Sequence, residues 1–252
     1  MATIDACYTV EFNKAMNGVL YGVGLGPGDP ELMTLKAYRL ISGAEVIAYP
    51  TLERGDSFAR SIAEDIINEE VEEIAVEVPM SVERGPAQAA YDLGATQIAK
   101  RLREGKDVVV LCEGDPFFYG SFMYLFSRLN EEFKCEVVPG VTSVTACAAL
   151  AARPLTARNE VLTIIPGPID EAALEVRIAA AEAVAIMKVG RHLPKIRTVL
   201  DRLNLTQYAH YVERATLPNQ LVLPLSAAPK TAPYFSMTVS YTHLTLPTTA
   251  IV

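Results

Sequence analysis

The chain has 252 residues, with 22 basic and 30 acidic side chains, a net charge of −8 and 50% hydrophobic residues. This composition is globular rather than disordered, its acidic balance argues against broad nucleic-acid binding, and no apolar run of about 18 residues is available to span a membrane. Four scattered cysteines (Cys7, Cys112, Cys135, Cys147), with no C-x-x-C pair and no partnered histidine, argue against a metal site or a disulfide framework and suit a reducing cytoplasm.

In chain order, Val19–Val23 reads as a buried strand. Asp29 follows as an N-cap with Pro30 at the first helical position, and the helix is expected to run to Ser42, where Gly43 stops it. Glu45–Tyr49 is a second strand. Ser57–Glu70 is predicted helical, with Phe58, Ile62 and Ile66 on one face. Val71–Val78 alternates as a strand, and Pro86–Glu104 is a long helix closed by Gly105. Asp107–Cys112 (DVVVLC) is nearly all apolar, as a central parallel strand buried on both faces must be. A helix at Gly120–Glu131, a strand at Cys135–Val138 and a helix at Ser143–Ala151 complete the first half. Strands alternating with helices imply a parallel sheet in a layered α/β domain.

A boundary is expected near Arg153–Asn159. Beyond it the pattern gives a strand at Val161–Ile165, a helix at Asp170–Ala181, a strand at Ala183–Met187 and a helix at Pro194–Leu203. Tyr208–Val212, Leu217–Leu223 and Tyr234–Val239 then read as strands with little helix between them, so the second sheet should be mixed. The expected domains are residues 16–154 and 155–239. The tail SYTHLTLPTTAIV resembles peptides that arise when sequencing-adapter DNA is translated, so residues 240–252 are expected to be foreign to the fold. Residues 1–15, which lack the basic start and apolar run of a secretory signal, are expected to be an extension as well.

Three glycine-containing loops follow strands. GVGLGPGD (Gly22–Asp29) invites a dinucleotide reading, but the G-x-G-x-x-G spacing fails: its last position is Pro27 or Asp29, depending on the start. Pro27 has no N–H for a pyrophosphate, and Asp29 would repel one. The loop is either a tight capped turn or a close backbone approach to a ligand without phosphate. CEGDPFFYG (Cys112–Gly120) combines Asp115 with Phe117, Phe118 and Tyr119, and suits either a simple turn or a site for an adenosine or methionine group. VPGVTSVTA (Val138–Ala146) places Thr142 and Ser143 at a helix start, as caps or as ligand contacts.

In this order GVGLGPGDPELMTLKA, EGDPFFYG and PGVTSVTA resemble the tetrapyrrole (corrin/porphyrin) methylases. AIMKVGRHLPKIR (Ala185–Arg197), YVERAT (Tyr211–Thr216) and APYFSM (Ala232–Met237) extend the resemblance over about Gly18–Val239. With PMSVERGPAQAAYD (Pro79–Asp92), they look most like the branch that methylates precorrin-2 at C-20 in cobalamin biosynthesis. The resemblance implies a two-domain α/β fold with a mainly parallel N-terminal sheet and a mixed C-terminal one. It also implies S-adenosylmethionine in a cleft between the domains, a small-molecule tetrapyrrole substrate and a homodimer in the cytoplasm, with no nucleic acid and no membrane.

Carried over by position, the resemblance assigns cofactor contacts to Pro27, Glu113, Gly114, Asp115, Phe118, Thr142, Ser143, Met187, Ala215 and Thr216. Many members have glycine where this chain has Glu113 or Ala215, which would narrow the pocket here. A carboxylate-rich substrate requires local cations, and Arg84, Arg153, Arg158, Lys188 and Arg191 near motif ends are the candidates. Methyl transfer from a sulfonium mainly demands alignment in a water-poor site and requires no metal, triad or nucleophilic cysteine. No catalytic base stands out. Glu113 and Tyr119 are candidates for proton handling. Rival readings are a cobalt-factor II C(20)-methylase, a relative acting on a diphthamide precursor or ribosomal RNA, and a non-catalytic S-adenosylmethionine-binding domain. An RNA enzyme should show basic stripes, which this chain does not advertise.

Overall fold

A computed structural model describes residues 17–52, 55–79 and 84–241, with only the backbone described at Arg84 and Tyr241. The chain divides into two units, Met1–Thr142 and Ser143–Val252. The division precedes the expected boundary at 154/155, because the helix Ser143–Leu150 packs with the last strand of the second unit.

The first unit holds strands β1 (Leu20–Gly24), β2 (Val46–Thr51), β3 (Glu72–Glu77), β4 (Val108–Cys112) and β5 (Cys135–Val138). They form a five-stranded sheet in the order β3-β2-β4-β1-β5, and every pairing is parallel. Its helices are α1 (Leu35–Ser42), α2 (Phe58–Ile62), α3 (Arg84–Arg103) and α4 (Phe122–Leu129). On one face Leu20, Val108, Val110 and Cys112 pack on Ile98 and Leu102 of α3 and Phe122 and Leu125 of α4. On the other, Val23, Val109 and Leu111 pack on Ala37 and Ile41 of α1 and Ala59 and Ile62 of α2. Two covered faces explain why β4 is apolar at every position. Each such aliphatic side chain, fully buried, contributes about 2 kcal/mol of hydrophobic transfer.

Two helices differ from expectation. Asp29 does cap a turn, its Oδ1 accepting from the Glu31 N–H at 2.9 Å, but that turn is a 3-10 segment over Pro30–Leu32. Met33 is extended, and Thr34 starts α1 by accepting from the Ala37 N–H at 3.1 Å. The predicted helix 57–70 ends at Ile62 and is followed by a 3-10 turn at Glu64–Ile66. Beyond it the Asn68 side chain accepts from the Glu70 N–H, a local bond that competes with helix propagation.

The second unit contains α5 (Ser143–Leu150), β6 (Leu162–Pro166), α6 (Glu171–Ala179), β7 (Ala183–Met187), α7 (Leu193–Arg202), β8 (Ala209–Glu213), β9 (Leu221–Pro224) and β10 (Ser236–Tyr241). Its sheet is ordered β6-β7-β10-β8-β9. β6 and β7 are parallel, whereas β10 is antiparallel to both neighbours and β8–β9 is antiparallel, so this sheet is mixed as expected. Leu174, Ile178, Ile196, Val199 and Leu200 cover it from α6 and α7. β10 continues through Ser240, opposite Ala209 and Val184, and Tyr241, opposite Ala183. Two residues of the segment expected to be foreign, Ser240 and Tyr241, thus pair within the sheet. The remaining terminal segments, 1–16 and 242–252, lie outside the described residues, and among the described residues no helix is long and apolar enough to cross a membrane.

Candidate functional site

In the first unit, β1 connects onward to β2 across β4, while β4 connects to β5 across β1. The two connections leave in opposite directions and cover opposite faces, which makes the C-terminal ends of β1 and β4 a topological switch point. Open α/β sheets bind ligands at such points. All three glycine loops end there. Gly26 and Gly114 form an antiparallel bridge, with N–H to O distances of 3.3 and 2.7 Å. A Cβ at Gly140 would lie 2.0 Å from the Gly114 carbonyl oxygen, and one at Gly24 would lie 2.6 Å from the Gly140 nitrogen, so only glycine permits this contact of three backbones. Gly114 differs: its φ is +64°, and a Cβ there would meet nothing closer than the Val141 carbonyl oxygen at 3.9 Å, so its side faces open space. Pro27 follows Gly26 and is half-buried.

The Asp115 carboxylate holds this arrangement. Its Oδ1 accepts from the backbone N–H groups of Phe117 (2.9 Å) and Phe118 (3.0 Å), and its Oδ2 from Gly140 (3.1 Å). Three of about four acceptor sites are thus used by the chain itself. Phe117 packs on Phe122 and Phe126, with centroids at 6.0 and 5.1 Å, while Phe118 meets Tyr119 edge-on at 5.3 Å. Tyr119 is 43% exposed and has φ 58°, a left-handed conformation that a bulky residue keeps only when its surroundings hold it.

Glu113, next to Gly114, is half-buried. Burial pushes its carboxyl above the ordinary carboxylate value, while its own backbone N–H and that of Ala59 at the start of α2 pull it down. Tyr91 lies within its electrostatic reach, its ring tilted against that of Tyr124 with centroids 4.8 Å apart, and burial pushes its phenol up to about 12. Tyr91 sits on the buried face of α3, where periodicity alone reads it as core. Cys112 and Cys147 are buried, and burial pushes the Cys147 thiol up to about 12, leaving it a poor nucleophile at neutral pH.

In the second unit, β7 and β8 both run antiparallel to β10, so their C-terminal ends share one sheet edge. That edge carries Met187, Lys188 and Arg191 from the β7 end and Ala215 and Thr216 from the β8 end. Met187 and Ala215 are buried, at 8% and 9% exposure. Lys188 (φ 55°) and Thr216 (φ 69°) are left-handed. The Thr216 N–H donates to Gln220 Oε1 at 3.0 Å. Gln220 was not legible as a partner, because its bond closes within the turn that replaces the first half of the predicted strand 217–223. Glu213, the last residue of β8, is buried; the predicted strand Tyr208–Val212 stops one residue short of it.

The other candidates are dispersed. Thr142 ends the first unit and Ser143 opens α5. Arg153 is exposed and lines a pocket of about 400 Å³ with Thr145, Ala149 and Thr156, all in the second unit. Arg158, also exposed and left-handed (φ 51°), follows in the same connection between α5 and β6. Arg191 is exposed, with Nε 3.5 Å from His192 Nε2. The Arg84 side chain lies outside the described residues. No group of three or more metal-ligating side chains occurs among the described residues.

Comparison with known proteins shows the family. The tetrapyrrole (corrin/porphyrin) methylase family matches residues 19–229. The chain is 41% identical to a precorrin-2 C(20)-methyltransferase of Sinorhizobium over 229 residues, covering 87% of this chain and 94% of that protein. It is 31% identical to the cobalt-precorrin-2 C(20)-methyltransferase of Salmonella typhimurium over 206 residues, covering 81% and 87%. It is also 42% identical to the cobalamin biosynthesis protein CobIJ of Mycobacterium tuberculosis, but spans only 45% of that longer protein. Among solved structures, Thermus thermophilus uroporphyrin-III C-methyl transferase, in complex with S-adenosylhomocysteine, matches with a TM-score of 0.64 and 26% identity over 88% of this chain and 97% of that one. The chain belongs to the tetrapyrrole (corrin/porphyrin) methylases.

Proposed function

We propose that the chain is an S-adenosylmethionine-dependent methyltransferase that methylates precorrin-2 at C-20 to give precorrin-3A in cobalamin biosynthesis. The 41% identity to the Sinorhizobium enzyme across 94% of its length carries this reading, and its excess over the 31% to the cobalt-precorrin-2 enzyme favours the metal-free substrate.

The residues present fit the cofactor. Segments 22–34, 112–120 and 138–146 contain no lysine or arginine, so the loops bring no like side-chain charge to a cationic sulfonium and ammonium. Gly114 leaves open space beside exposed backbone, and Asp115 keeps acceptor capacity for a hydroxyl or amine. When bound, S-adenosylmethionine supplies an electrophilic methyl whose transfer to carbon leaves a neutral thioether. The chain aligns the partners and keeps water out. Glu113, raised by burial, is the group to accept the proton that C-20 loses as its new C–C bond forms. Tyr119 is the second candidate. Arg84, Arg153, Arg158, Lys188 and Arg191 meet the substrate carboxylates.

The test incubates purified protein with S-adenosylmethionine and precorrin-2, with cobalt-factor II in parallel, and reads product mass. Methyl-for-hydrogen exchange on precorrin-2 alone is expected. Exchange on the cobalt substrate alone overturns the metal-free assignment. No exchange with cofactor bound leaves a binding domain instead. The same reading takes the chain to be a homodimer, which sedimentation velocity measures directly.

A further inference from the structure

In the second unit, the first residue of β10 stands where two candidate cofactor-holding strand ends meet. β10 lies between β7 and β8, so Ser236 touches the C-terminal end of each. Ser236 is buried at 8% exposure. On the β7 side, its hydroxyl accepts from the Gly190 N–H at 3.0 Å and donates to the Pro233 carbonyl at 2.7 Å, while its own carbonyl accepts from the Val189 N–H at 3.3 Å. On the β8 side it stands opposite Glu213 in register.

Glu213 is equally buried, at 7% exposure. Its Oε2 accepts from the Tyr211 hydroxyl at 2.5 Å and its Oε1 from Arg214 Nη1 at 2.8 Å. The Arg214 N–H donates to the Phe235 carbonyl, one residue before Ser236, at 2.9 Å. The backbone on both sides is left-handed, at Lys188 (55°) and Gly190 (33°) after β7 and at Arg214 (49°) and Thr216 (69°) after β8. Residues with a Cβ keep that conformation only where neighbours over-determine it. The hydroxyl protons of Ser236 and Tyr211 and both carboxylate oxygens of Glu213 are engaged inside the cluster. Its chemistry is therefore internal coupling and not ligand binding.

We propose that Glu213 and Ser236 are positioning residues: a buried polar brace that locks the ends of β7 and β8 together, so that the Met187 and Ala215–Thr216 contacts to the cofactor form as one unit. This rests on the reading that those stretches hold S-adenosylmethionine.

The test titrates S-adenosylhomocysteine calorimetrically into the full chain, Glu213→Gln, Ser236→Ala, the double variant, and Leu174→Ala as a destabilised control in the core under α6. Each single brace variant is expected to bind about tenfold more weakly, and the double variant by clearly less than the product of the two. Leu174→Ala should lower Tm and keep its affinity. Brace variants that bind like the unmodified chain, or that lose no more than Leu174→Ala does at a matched loss of Tm, overturn the proposal. Amide hydrogen exchange reads the brace without ligand, so failure of the cofactor reading is separable. Ser236→Ala must speed exchange at both Gly190 and Arg214, and acceleration at Gly190 alone means that the two ends are independent and the brace does not exist.

Discussion

The Oδ2 of Asp115 accepts from the backbone N–H of Gly140 at 3.1 Å, joining the loop after β4 to the end of β5 across the strand between them. With the two Oδ1 bonds to Phe117 and Phe118, one carboxylate shapes the loop and pins its neighbour. Asp115→Ala leaves three N–H groups without their acceptor and should cost about 3 kcal/mol of stability. S-adenosylhomocysteine affinity should fall more than about tenfold with it. Asp115→Asn keeps one carbonyl oxygen and should cost about 1 kcal/mol. Urea unfolding and calorimetry on both variants measure this, and equal losses would mean that the charge rather than the acceptor geometry matters.

Two glycines of the same site should respond oppositely to alanine. At Gly114 the added methyl enters open space and only the φ of +64° opposes it, so Gly114→Ala should cost about 1 kcal/mol in folding. Its larger effect should fall on cofactor affinity, because the methyl occupies the space offered to the ligand. At Gly140 the methyl would stand 2.0 Å from the Gly114 carbonyl oxygen, a backbone atom that cannot rotate away. Gly140→Ala should therefore cost about 3 kcal/mol or more. Thermal melts of the pair check the order, and a milder Gly140→Ala would show that the strand ends can part.

Such contrasts mark what a sequence can carry. Cys135–Val138 and Ala183–Met187 were readable to the residue, because a short β-branched or apolar run bounded by turn or charged residues has few other ways to pack. The meeting of three glycine loops at one sheet edge followed from strand alternation and the Gly spacing. The helix predicted over 57–70 stops at Ile62 although Ile66 continues its apolar period, because a 3-10 turn at Glu64–Ile66 takes over and periodicity does not separate the two. The role of Asp115 was hidden for a different reason: its partner Gly140 is distant in sequence and offers only a backbone N–H, which no residue pattern advertises. Glu213 falls just beyond the predicted strand Tyr208–Val212, and its bonds to Tyr211 and Arg214 depend on side-chain orientation that no residue pattern carries.

Glu113 gives a pH signature with a definite sign. Burial raises its folded-state value above the ordinary 4.5. Above that pH the folded chain holds a proton the unfolded chain has released, so stability falls as pH climbs toward the folded value. Glu113→Gln removes the titrating group. The Tm advantage of the variant should therefore be absent below about pH 4.5, grow as pH rises, and level off once the native carboxyl ionises. Parallel Tm curves across that range would show that Glu113 is not held protonated. If Glu113 also accepts the C-20 proton, the variant loses turnover while gaining stability at neutral pH.

Thr238 supplies a prediction independent of the cofactor. It sits on β10 opposite Ile186 and Tyr211, fully buried, and its Oγ1 has no hydrogen-bond partner among the described residues. A buried hydroxyl without a partner forfeits its hydration and receives nothing in return. Thr238→Val exchanges that hydroxyl for a methyl of similar size and keeps the β-branched shape a central strand prefers. The variant should be more stable by about 1 kcal/mol. Its effect on S-adenosylhomocysteine affinity should be nil, because Thr238 lies two residues inside the sheet from Ser236. Chemical denaturation at matched m-values measures the gain. A loss of stability would mean that the hydroxyl has a bonding partner in solution, and a loss of affinity at unchanged stability would extend the brace inward from Ser236 along β10.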